Sequence, residues 1–383
     1  MKRILIVFGT RPEAIKMAPV VKELANRHEQ FDVKVCSTGQ HREMLRQMLD
    51  VFDMRPDYDL DLMQPGQDLY GLSAAILTGM RRVLDDAKPD IVLVHGDTTT
   101  SSMAALAAFY QQIPVGHVEA GLRTDNIYSP WPEEMNRRLT GRLATIHFAP
   151  TEQARQNLLC ENVPAENIVV TGNTVIDALL WVVASGNAVA PEPWRSSDRR
   201  MVLITSHRRE NFGNGMRNIC QALNILASHF PDTDFVYPIH LNPNIRKSVH
   251  DIIDNNLNNI HLLEPMDYFG FIGMMQRCTL VLTDSGGLQE EAPAFGKPVL
   301  VMRDTTERPE AVTAGTARLV GTDRKCIETA VAELLTNTNA YQAMANAVNP
   351  FGDGHAAKRI ANHLARDRGL RASPSFCIGS ITF

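Results

Sequence analysis

Short apolar runs that end in polar turns and continue into helical stretches recur along most of the chain. The first run covers residues 4–8 and ends at Gly9-Thr10-Arg11-Pro12-Glu13, after which apolar residues return with helical spacing. Further strands are predicted at residues 33–38, 89–95, 114–119, 145–149, 167–171, 201–206, 235–240, 260–263, 280–282, 298–302 and 317–320. Strands that alternate with helices predict an α/β protein with parallel, doubly wound sheets.

The length of the chain favours two domains. At 383 residues and 44% hydrophobic content, it exceeds what a single ordinary core accommodates. Glycine, asparagine and proline become frequent at residues 186–193, where we predict the region between the domains.

Composition narrows the class of partner. A net charge of −5 and a pI near 6.2 argue against an extended nucleic-acid surface and favour small molecules. The six cysteines form no CxxC pair and no HxxxH spacing occurs, so we expect reduced thiols, no metal and no cofactor. The five apolar residues at 4–8 are too few for a signal sequence or membrane span, which predicts a cytoplasmic protein without a membrane anchor.

Two cations follow the first strand. Arg11 and Lys16 lie near the start of a helix that Thr10 can cap and Pro12 can begin. Positive charge opposes the helix dipole at this end, so a bound anion would explain both residues. The alternative is that both side chains extend into solvent.

Carboxylates stand at two later strand ends and at the start of a helix. Asp97 precedes Thr98, so it either faces a ligand or caps the next helix. Glu119 ends a largely apolar strand, where a carboxylate is costly unless paired, and this favours a functional role. Glu133 and Glu134 follow a proline-rich loop and lie in a first helical turn, where a purely structural cap is the alternative.

A glycine turn in the second half suits a phosphate. The run 280–282 leads into Ser285-Gly286-Gly287 and a predicted helix that extends to residue 295. Adjacent glycines let a ligand approach the backbone, and the N–H groups at a helix start attract phosphate. The alternative is a turn whose glycines only serve the packing of helix on strand.

Other residues could complete a nucleotide site. Glu290 and Glu291 lie about one helical turn beyond the glycines, where they could reach ribose hydroxyls. The run His207-Arg208-Arg209 follows another strand and is predicted to face a phosphate or carboxylate. Phe271 could stack on a nucleobase or pack in the core.

In chain order, these motifs resemble those of the bacterial non-hydrolysing UDP-N-acetylglucosamine 2-epimerases. The stretches that carry the resemblance are Phe8-Gly9-Thr10-Arg11-Pro12-Glu13-Ala14-Ile15-Lys16, Val94-His95-Gly96-Asp97-Thr98, His117-Val118-Glu119-Ala120-Gly121-Leu122-Arg123, Pro132-Glu133-Glu134-Met135-Asn136, His207-Arg208-Arg209-Glu210-Asn211, Thr283-Asp284-Ser285-Gly286-Gly287-Leu288-Gln289-Glu290-Glu291 and Arg308-Pro309-Glu310-Ala311. Each motif is weak alone, but their common order over most of the chain is specific. Residues 367–383 carry no part of the resemblance.

The resemblance implies a glycosyltransferase-B-like architecture, in which two Rossmann-like, doubly wound domains face each other across a cleft. We place the first domain at residues 1–172 and the second, UDP-binding domain at residues 173–354. A last helix at residues 355–367 would return to the first domain, followed by a tail at 368–383. The resemblance also implies a homodimer.

Residue roles follow from the matched motifs. The resemblance places phosphate at Ser285, Gly286 and Gly287 and ribose at Glu291. Further residues implied around UDP are Arg11, Lys16, His207, Phe271 and Arg308. Some members of the family bind UDP-GlcNAc at a second, activating site, for which the candidates are Gln40, His41, Arg209 and His240. From the residues alone, His41 could contact a ligand, line a domain cleft or do neither.

The implied reaction interconverts UDP-GlcNAc and UDP-ManNAc and supplies UDP-ManNAc for surface polysaccharide synthesis. Because the C2 proton is not adjacent to a carbonyl group, direct deprotonation is too difficult. Anti elimination of UDP to 2-acetamidoglucal, followed by re-addition, avoids this problem and needs proton-handling groups on two faces of the sugar. We assign Asp97, Glu119 and Glu133 to this task, without deciding which removes the proton. His207 would stabilise the departing pyrophosphate together with Arg11 and Lys16.

Three other functions share parts of this pattern. A glycosyltransferase on the same fold would have the same UDP site. A hydrolysing epimerase would release free ManNAc and UDP. A catalytically silent UDP-sugar sensor would bind UDP and leave the sugar unchanged.

Overall fold

The structure is a computed structural model that describes residues 1–39, 42–64 and 66–366. The chain forms two compact units, of which the first comprises Met1–Ala178 and the C-terminal segment that begins at Gly354. The second unit comprises Leu179–Asp353. The division falls within a helix, and the domain boundaries given above stay predictions.

The first unit contains a seven-stranded parallel sheet with the order β3-β2-β1-β4-β5-β6-β7. Its strands are β1 (Lys2–Phe8), β2 (Phe31–Ser37), β3 (Tyr58–Asp59), β4 (Ile91–His95), β5 (Val115–Val118), β6 (Ile146–Ala149) and β7 (Ile168–Val170). In the centre, Ile4 is in register with Val33 of β2 and Ile91 of β4. The order reverses between β1 and β4, and ligands of doubly wound folds bind at such a switch point.

Helices cover both faces of this sheet. They are α1 (Arg11–Ala25), α2 (Arg42–Val51), α3 (Leu69–Ala87), α4 (Thr99–Tyr110), α5 (Glu133–Leu143), α6 (Glu152–Cys160) and α7 (Thr174–Ala184). The apolar residues of β1 and β4 are buried, and those of one face form a core with α3 and α4. Continuous apolar strands of this kind are typical of parallel sheets buried on both faces.

The second unit repeats this plan with six parallel strands in the order β10-β9-β8-β11-β12-β13. Its strands are β8 (Arg200–Thr205), β9 (Thr233–Pro238), β10 (Ile260–Leu263), β11 (Leu280–Thr283), β12 (Val299–Val301) and β13 (Ala317–Leu319). Its helices are α8 (Asn214–His229), α9 (Pro243–Ile252), α10 (Tyr268–Arg277), α11 (Leu288–Glu291), α12 (Pro309–Thr313), α13 (Arg324–Thr336) and α14 (Thr338–Ala345). Here the strand order reverses between β8 and β11.

The last described helix, α15 (Ala356–Arg366), belongs to the first unit. The buried carboxylate of Asp177, on α7, accepts hydrogen bonds from the N–H groups of Ala356 (3.1 Å) and Ala357 (2.8 Å). Arg359 donates a further bond to the carbonyl oxygen of Thr171 at 3.0 Å. These contacts satisfy N–H groups that the first turn of a helix cannot pair internally.

The predicted fold class is confirmed, because both units are doubly wound α/β sheets. Two local predictions were wrong. No strand was predicted between residues 38 and 89, but the short strand β3 lies there and pairs with β2. The helix predicted to run to residue 295 ends at Glu291 and continues as a 3₁₀ helix, Ala292–Phe295, because Pro293 has no N–H to extend α-helical hydrogen bonding. None of the described helices combines the length and apolarity that crossing a membrane requires.

We predict that Asp177→Ala weakens the attachment of α15. Two buried N–H groups lose their acceptor, so local opening should become easier by about 1–3 kcal/mol. Hydrogen exchange measured on peptides from α15 should accelerate. The control is Asp68→Ala, which removes an exposed cap that accepts a 2.7 Å bond from Gly71 at the start of α3. Equal exchange in α15 for both variants would contradict the role of Asp177.

Candidate functional site

The turn after β1 is organised by a buried carboxylate that the sequence motif did not single out. Glu13 lies in the first turn of α1, which Thr10 caps and Pro12 begins, as predicted. One oxygen of Glu13 accepts bonds from Gly9 N (3.0 Å), Thr10 N (2.8 Å) and Thr10 Oγ1 (2.8 Å). Burial raises the pKa of Glu13, and these hydrogen bonds oppose the shift. The spacing from Thr10 to Glu13 is that of a capping box, a signal that could have located half of this arrangement.

The other oxygen of Glu13 reaches the turn after the neighbouring strand β4. It accepts bonds from Thr98 Oγ1 at 2.6 Å and Ser101 Oγ at 2.9 Å. Thr98 is the N-cap of α4. Glu13 therefore joins the start of α1, the helix that carries Arg11 and Lys16, to the turn that carries Asp97.

Asp97 faces a guanidinium group. Because Thr98 caps α4, Asp97 is not the cap that the sequence left open as an alternative. Its Oδ2 lies 2.7 Å from Nη2 of Arg137, and its carbonyl oxygen accepts a 2.9 Å bond from Asn136. Both partners lie on α5. Asn136 belongs to one of the quoted motifs, but neither residue was given a role from the sequence.

Glu119 is paired, as the cost of burying its charge requires. Its side chain, 8% exposed, forms an ion pair with Lys16, and its Oε2 accepts a 2.9 Å bond from Asn173. Lys16 therefore does not extend freely into solvent. The backbone of Glu119 has a positive φ of 63°, which turns the chain sharply after β5. A Cβ built on Gly96 would lie 3.5 Å from Oε1 of Glu119, so this carboxylate lies against the residue that precedes Asp97.

The two glutamates at the start of α5 have different surroundings. Glu134 is fully buried and pairs with Arg137 at 3.0 Å and Arg138 at 3.2 Å. Glu133 has a buried oxygen, Oε2, that has no hydrogen-bond partner among the described residues. Arg137 thus bridges Asp97 and Glu134.

In the second unit, the buried Asp284 organises the switch point. It follows β11 and accepts hydrogen bonds from Ser206 Oγ (2.8 Å), His207 N (3.0 Å), Arg208 N (2.9 Å) and Asn211 Nδ2 (3.0 Å). Burial alone would raise the pKa of Asp284, but the hydrogen bonds and the His207 charge together lower it. Asp284 lies inside the motif that starts at Thr283, yet its partners are far away in sequence.

His207 and His240 lie together. Nδ1 of His207 is 3.2 Å from Oδ1 of Asp284, and the ring stacks on that of His240 with centroids 5.9 Å apart and planes 28° apart. Nδ1 of His240 accepts a 3.2 Å bond from Asn242 N. The Asp284 contact fixes the orientation of the His207 ring.

The glycine turn lies close to charged side chains. A Cβ on Gly286 would lie 3.8 Å from Nη2 of Arg208, and one on Gly287 would lie 3.3 Å from Oε1 of Glu291. Neither glycine has a positive φ, so the backbone conformation itself does not demand glycine here. The absence of side chains instead leaves the backbone approachable.

The two acidic residues that follow the turn are not equivalent. Glu290 is buried and forms an ion pair with Arg308. Glu291 is half-buried, and Phe271, on α10, is also half-buried and outside the fully buried core. Glu291 is thus better placed than Glu290 to meet a ligand.

Several predicted residues are not covered. Gln40 and His41 lie outside the described residues, and the side chain of Arg209 is not described. No group of three or more histidine, cysteine, aspartate or glutamate side chains within the described ranges could hold a metal ion.

Comparisons with known proteins agree along nearly the whole chain. A family model described as UDP-N-acetylglucosamine 2-epimerase matches residues 22–365. The UDP-N-acetylglucosamine 2-epimerase of Escherichia coli strain K12 is 57% identical over 374 residues, which cover 96% of this chain and 99% of the relative.

Solved structures show the same similarity in three dimensions. The UDP-GlcNAc 2-epimerase of Neisseria meningitidis, bound to UDP-GlcNAc, is 51% identical with a TM-score of 0.86, covering 95% of this chain and 100% of that chain. The UDP-GlcNAc 2-epimerase of Methanocaldococcus jannaschii, in complex with UDP-GlcNAc and UDP, is 34% identical with a TM-score of 0.76, covering 95% and 99%.

We predict that Asp284→Asn destabilises the second unit. The asparagine amide directs N–H donors at the donors that surround residue 284. Because hydrogen bonds to charged groups contribute about 1.5–3 kcal/mol each, the free energy of unfolding, measured in urea at pH 7, should fall by roughly 2–4 kcal/mol. The control Asp323→Asn alters an exposed cap of α13, where asparagine serves as well as aspartate, and should change stability by less than about 0.5 kcal/mol.

The effect of Asp284→Asn should also depend on pH. Because the pKa of Asp284 is lowered on folding, its stabilisation is present above the unfolded pKa, about 3.9, and is lost as the pH falls through the folded value. The stability difference between the parent protein and Asp284→Asn should therefore shrink in acid. A difference that stays constant down to acid unfolding would contradict this.

Proposed function

The chain belongs to the UDP-N-acetylglucosamine 2-epimerase family, and from this premise we propose that it interconverts UDP-GlcNAc and UDP-ManNAc by eliminating UDP and adding it back. Membership confirms the predicted resemblance and the predicted enzyme class, an isomerase that acts on UDP-GlcNAc. The observation that carries the proposed route is a set of three carboxylates in the first unit. Asp97 and Glu119 follow the neighbouring strands β4 and β5, and Glu133 begins α5.

The proposal assigns UDP to the cationic and glycine-rich groups. Ser285, Gly286 and Gly287 would receive a phosphate, supported by the nearby guanidinium of Arg208. Glu291 would accept bonds from the ribose, and Phe271 would pack on the base.

Positive charges would stabilise the departing pyrophosphate. Arg11, Lys16, His207 and Arg308 are the groups we assign to this role. The ring of His207, oriented by Asp284, can direct Nε2 at the leaving group. A well-placed donor of this kind contributes about 3–4 kcal/mol to transition-state stabilisation.

The sugar is assigned to the carboxylates. Cleavage of the bond between C1 and oxygen sends its electron pair to UDP, and removal of the C2 proton supplies the electrons of the new C1–C2 double bond. Re-addition requires a proton to reach the opposite face of C2, so at least two groups must handle protons. The three carboxylates have different environments, which suits them to different roles. Asp97 lies beside a guanidinium group, Glu119 lies beside an ammonium group, and Glu133 has an oxygen without a partner among the described residues.

The proposal also covers the assembly, location and regulation of the protein. We keep a homodimer, a cytoplasmic location and a supply of UDP-ManNAc for surface polysaccharides as proposals. A second, activating UDP-GlcNAc site at Gln40, His41, Arg209 and His240 is also a proposal. The stacking of His240 on His207 supports it, since a ligand at His240 would contact the ring that we assign to the leaving group.

We predict that solvent deuterium enters C2 during turnover. The enzyme incubated with UDP-GlcNAc in heavy water should yield UDP-GlcNAc and UDP-ManNAc that both lack the C2 proton signal in NMR spectra. No exchange with epimerisation would refute elimination. Free ManNAc with UDP would favour a hydrolysing epimerase, transfer of the sugar to an acceptor would favour a glycosyltransferase, and unchanged substrate despite tight UDP binding would favour a sensor.

We predict that Glu119→Gln lowers kcat about 10²–10⁴-fold, the usual contribution of general acid–base catalysis, with UDP affinity changed less than about threefold. Steady-state kinetics and calorimetry with UDP measure both quantities. The control is Glu152→Gln, which alters an exposed glutamate of α6 that pairs with Arg155. Equal activity of the two variants would remove Glu119 from the proposal.

A further inference from the structure

One buried imidazole lies next to Glu119, one of the proposed proton-handling groups. His95 is the last residue of β4 and is 3% exposed. Its Nε2 lies 3.7 Å from Oε2 of Glu119 and has no hydrogen-bond partner among the described residues. A buried polar atom without a hydrogen bond costs free energy. A partner gained at some stage of the reaction would explain why it is present.

The named contacts of Glu119 differ in what they can offer. The ammonium group of Lys16 and the amide nitrogen of Asn173 are donors, and they suit the ionised carboxylate, which only accepts. When Glu119 carries a proton, its O–H becomes a donor and needs an acceptor. Among the three contacts named here, His95 supplies such an acceptor, its Nε2 atom.

His95 is neutral at the pH at which most enzymes work. Burial lowers its pKa to about 4. The charge of Glu119 raises this pKa, whereas the charge of Lys16 lowers it further. The ring also interacts with its own backbone in a way that favours the protonated form, as an N–H to the carbonyl oxygen does. Because Nε2 has no hydrogen-bond partner among the described residues, we assign that N–H to Nδ1, which leaves Nε2 as the acceptor of the neutral ring.

The separation of 3.7 Å agrees with this assignment. It exceeds hydrogen-bond length, as expected when an acceptor nitrogen faces an acceptor oxygen. The ionisable groups around His95 are Lys16 on α1, Glu119 after β5, and His117 on β5, whose Nε2 is bonded to the carbonyl oxygen of Gly96 at 2.7 Å.

We propose that His95 is a positioning residue for Glu119, whose carboxyl group donates a hydrogen bond to Nε2 of His95 whenever it holds a proton during turnover. This inference rests on the proposed function, in which a proton moves between C2 and a carboxylate. The proton stays on the Glu119 oxygen, and His95 neither gains nor loses one. The imidazole stabilises the protonated state and makes Glu119 a stronger base.

The effect on the pH profile has one sign whichever role Glu119 plays. Loss of the acceptor lowers the pH at which Glu119 ionises. If Glu119 acts as the base, the acid limb of kcat moves to lower pH; if it acts as the acid, the basic limb does so. A purely structural role for His95 would move neither limb.

The test is His95→Phe, which keeps a ring of similar size and removes the acceptor. We expect kcat to fall about tenfold or more with KM changed less than about twofold, and one limb to move down by roughly one pH unit. The matched control is His147→Phe. His147 is likewise buried in this sheet, on β6, and burial likewise lowers its pKa to about 4, but the charged groups that act on its pKa are Arg123 and Glu161. Unmoved limbs in His95→Phe, or equal shifts in both variants, would overturn the proposal.

A second variant decides the matter if His95→Phe does not fold. His95→Gln offers an amide oxygen as acceptor and should retain more activity than His95→Phe. In the parent protein, the ¹⁵N resonance missing from His95→Gln should have the shift of an unprotonated Nε2 at neutral pH, and a protonated Nε2 would refute the proposal. Deuterium entry into C2 tests the proposed function separately, because it is expected in every variant that turns over.

Discussion

In each unit, one buried carboxylate bridges the two strand ends at which the sheet order reverses. Glu13 follows β1 and binds the start of α4, while Asp284 follows β11 and binds the turn after β8. Burying a charge costs several kcal/mol, and in both cases backbone N–H groups and hydroxyl groups offset that cost. The two turns that carry residues proposed to face a ligand are thereby held at a defined separation.

This constraint explains why the proposed site can be preorganised. Fixed donors stabilise a developing charge more effectively than mobile ones, because no reorganisation is needed during the reaction. Asp97 is held next to a turn that Glu13 anchors, and His207 is held by Asp284 itself. Lys16, by contrast, pairs with Glu119, so the charge predicted for an anion also stabilises a carboxylate of its own unit.

At the glycine turn, the accessible backbone is a more prominent feature than the helix that follows it. α11 ends at Glu291, so the dipole at its start is that of a short helix. Arg208 lies beside Gly286, and the backbone there carries no side chain that would keep a phosphate away. Recognition of a phosphate at this turn would therefore depend on close approach and on a neighbouring cation.

The sequence by itself determined most of the elements and the residue types at the strand ends. Apolar runs, caps such as Thr10 and Thr98, and the order of the motifs depend on neighbours within a few residues, so local rules find them. Only the tertiary structure decided which charges meet. Several contacts join residues from different elements of one unit, because packing of parallel strands brings their ends to one edge. These contacts are Glu119 with Lys16, Asp284 with His207, Glu290 with Arg308 and His95 with Glu119. No periodicity within a segment records such a contact.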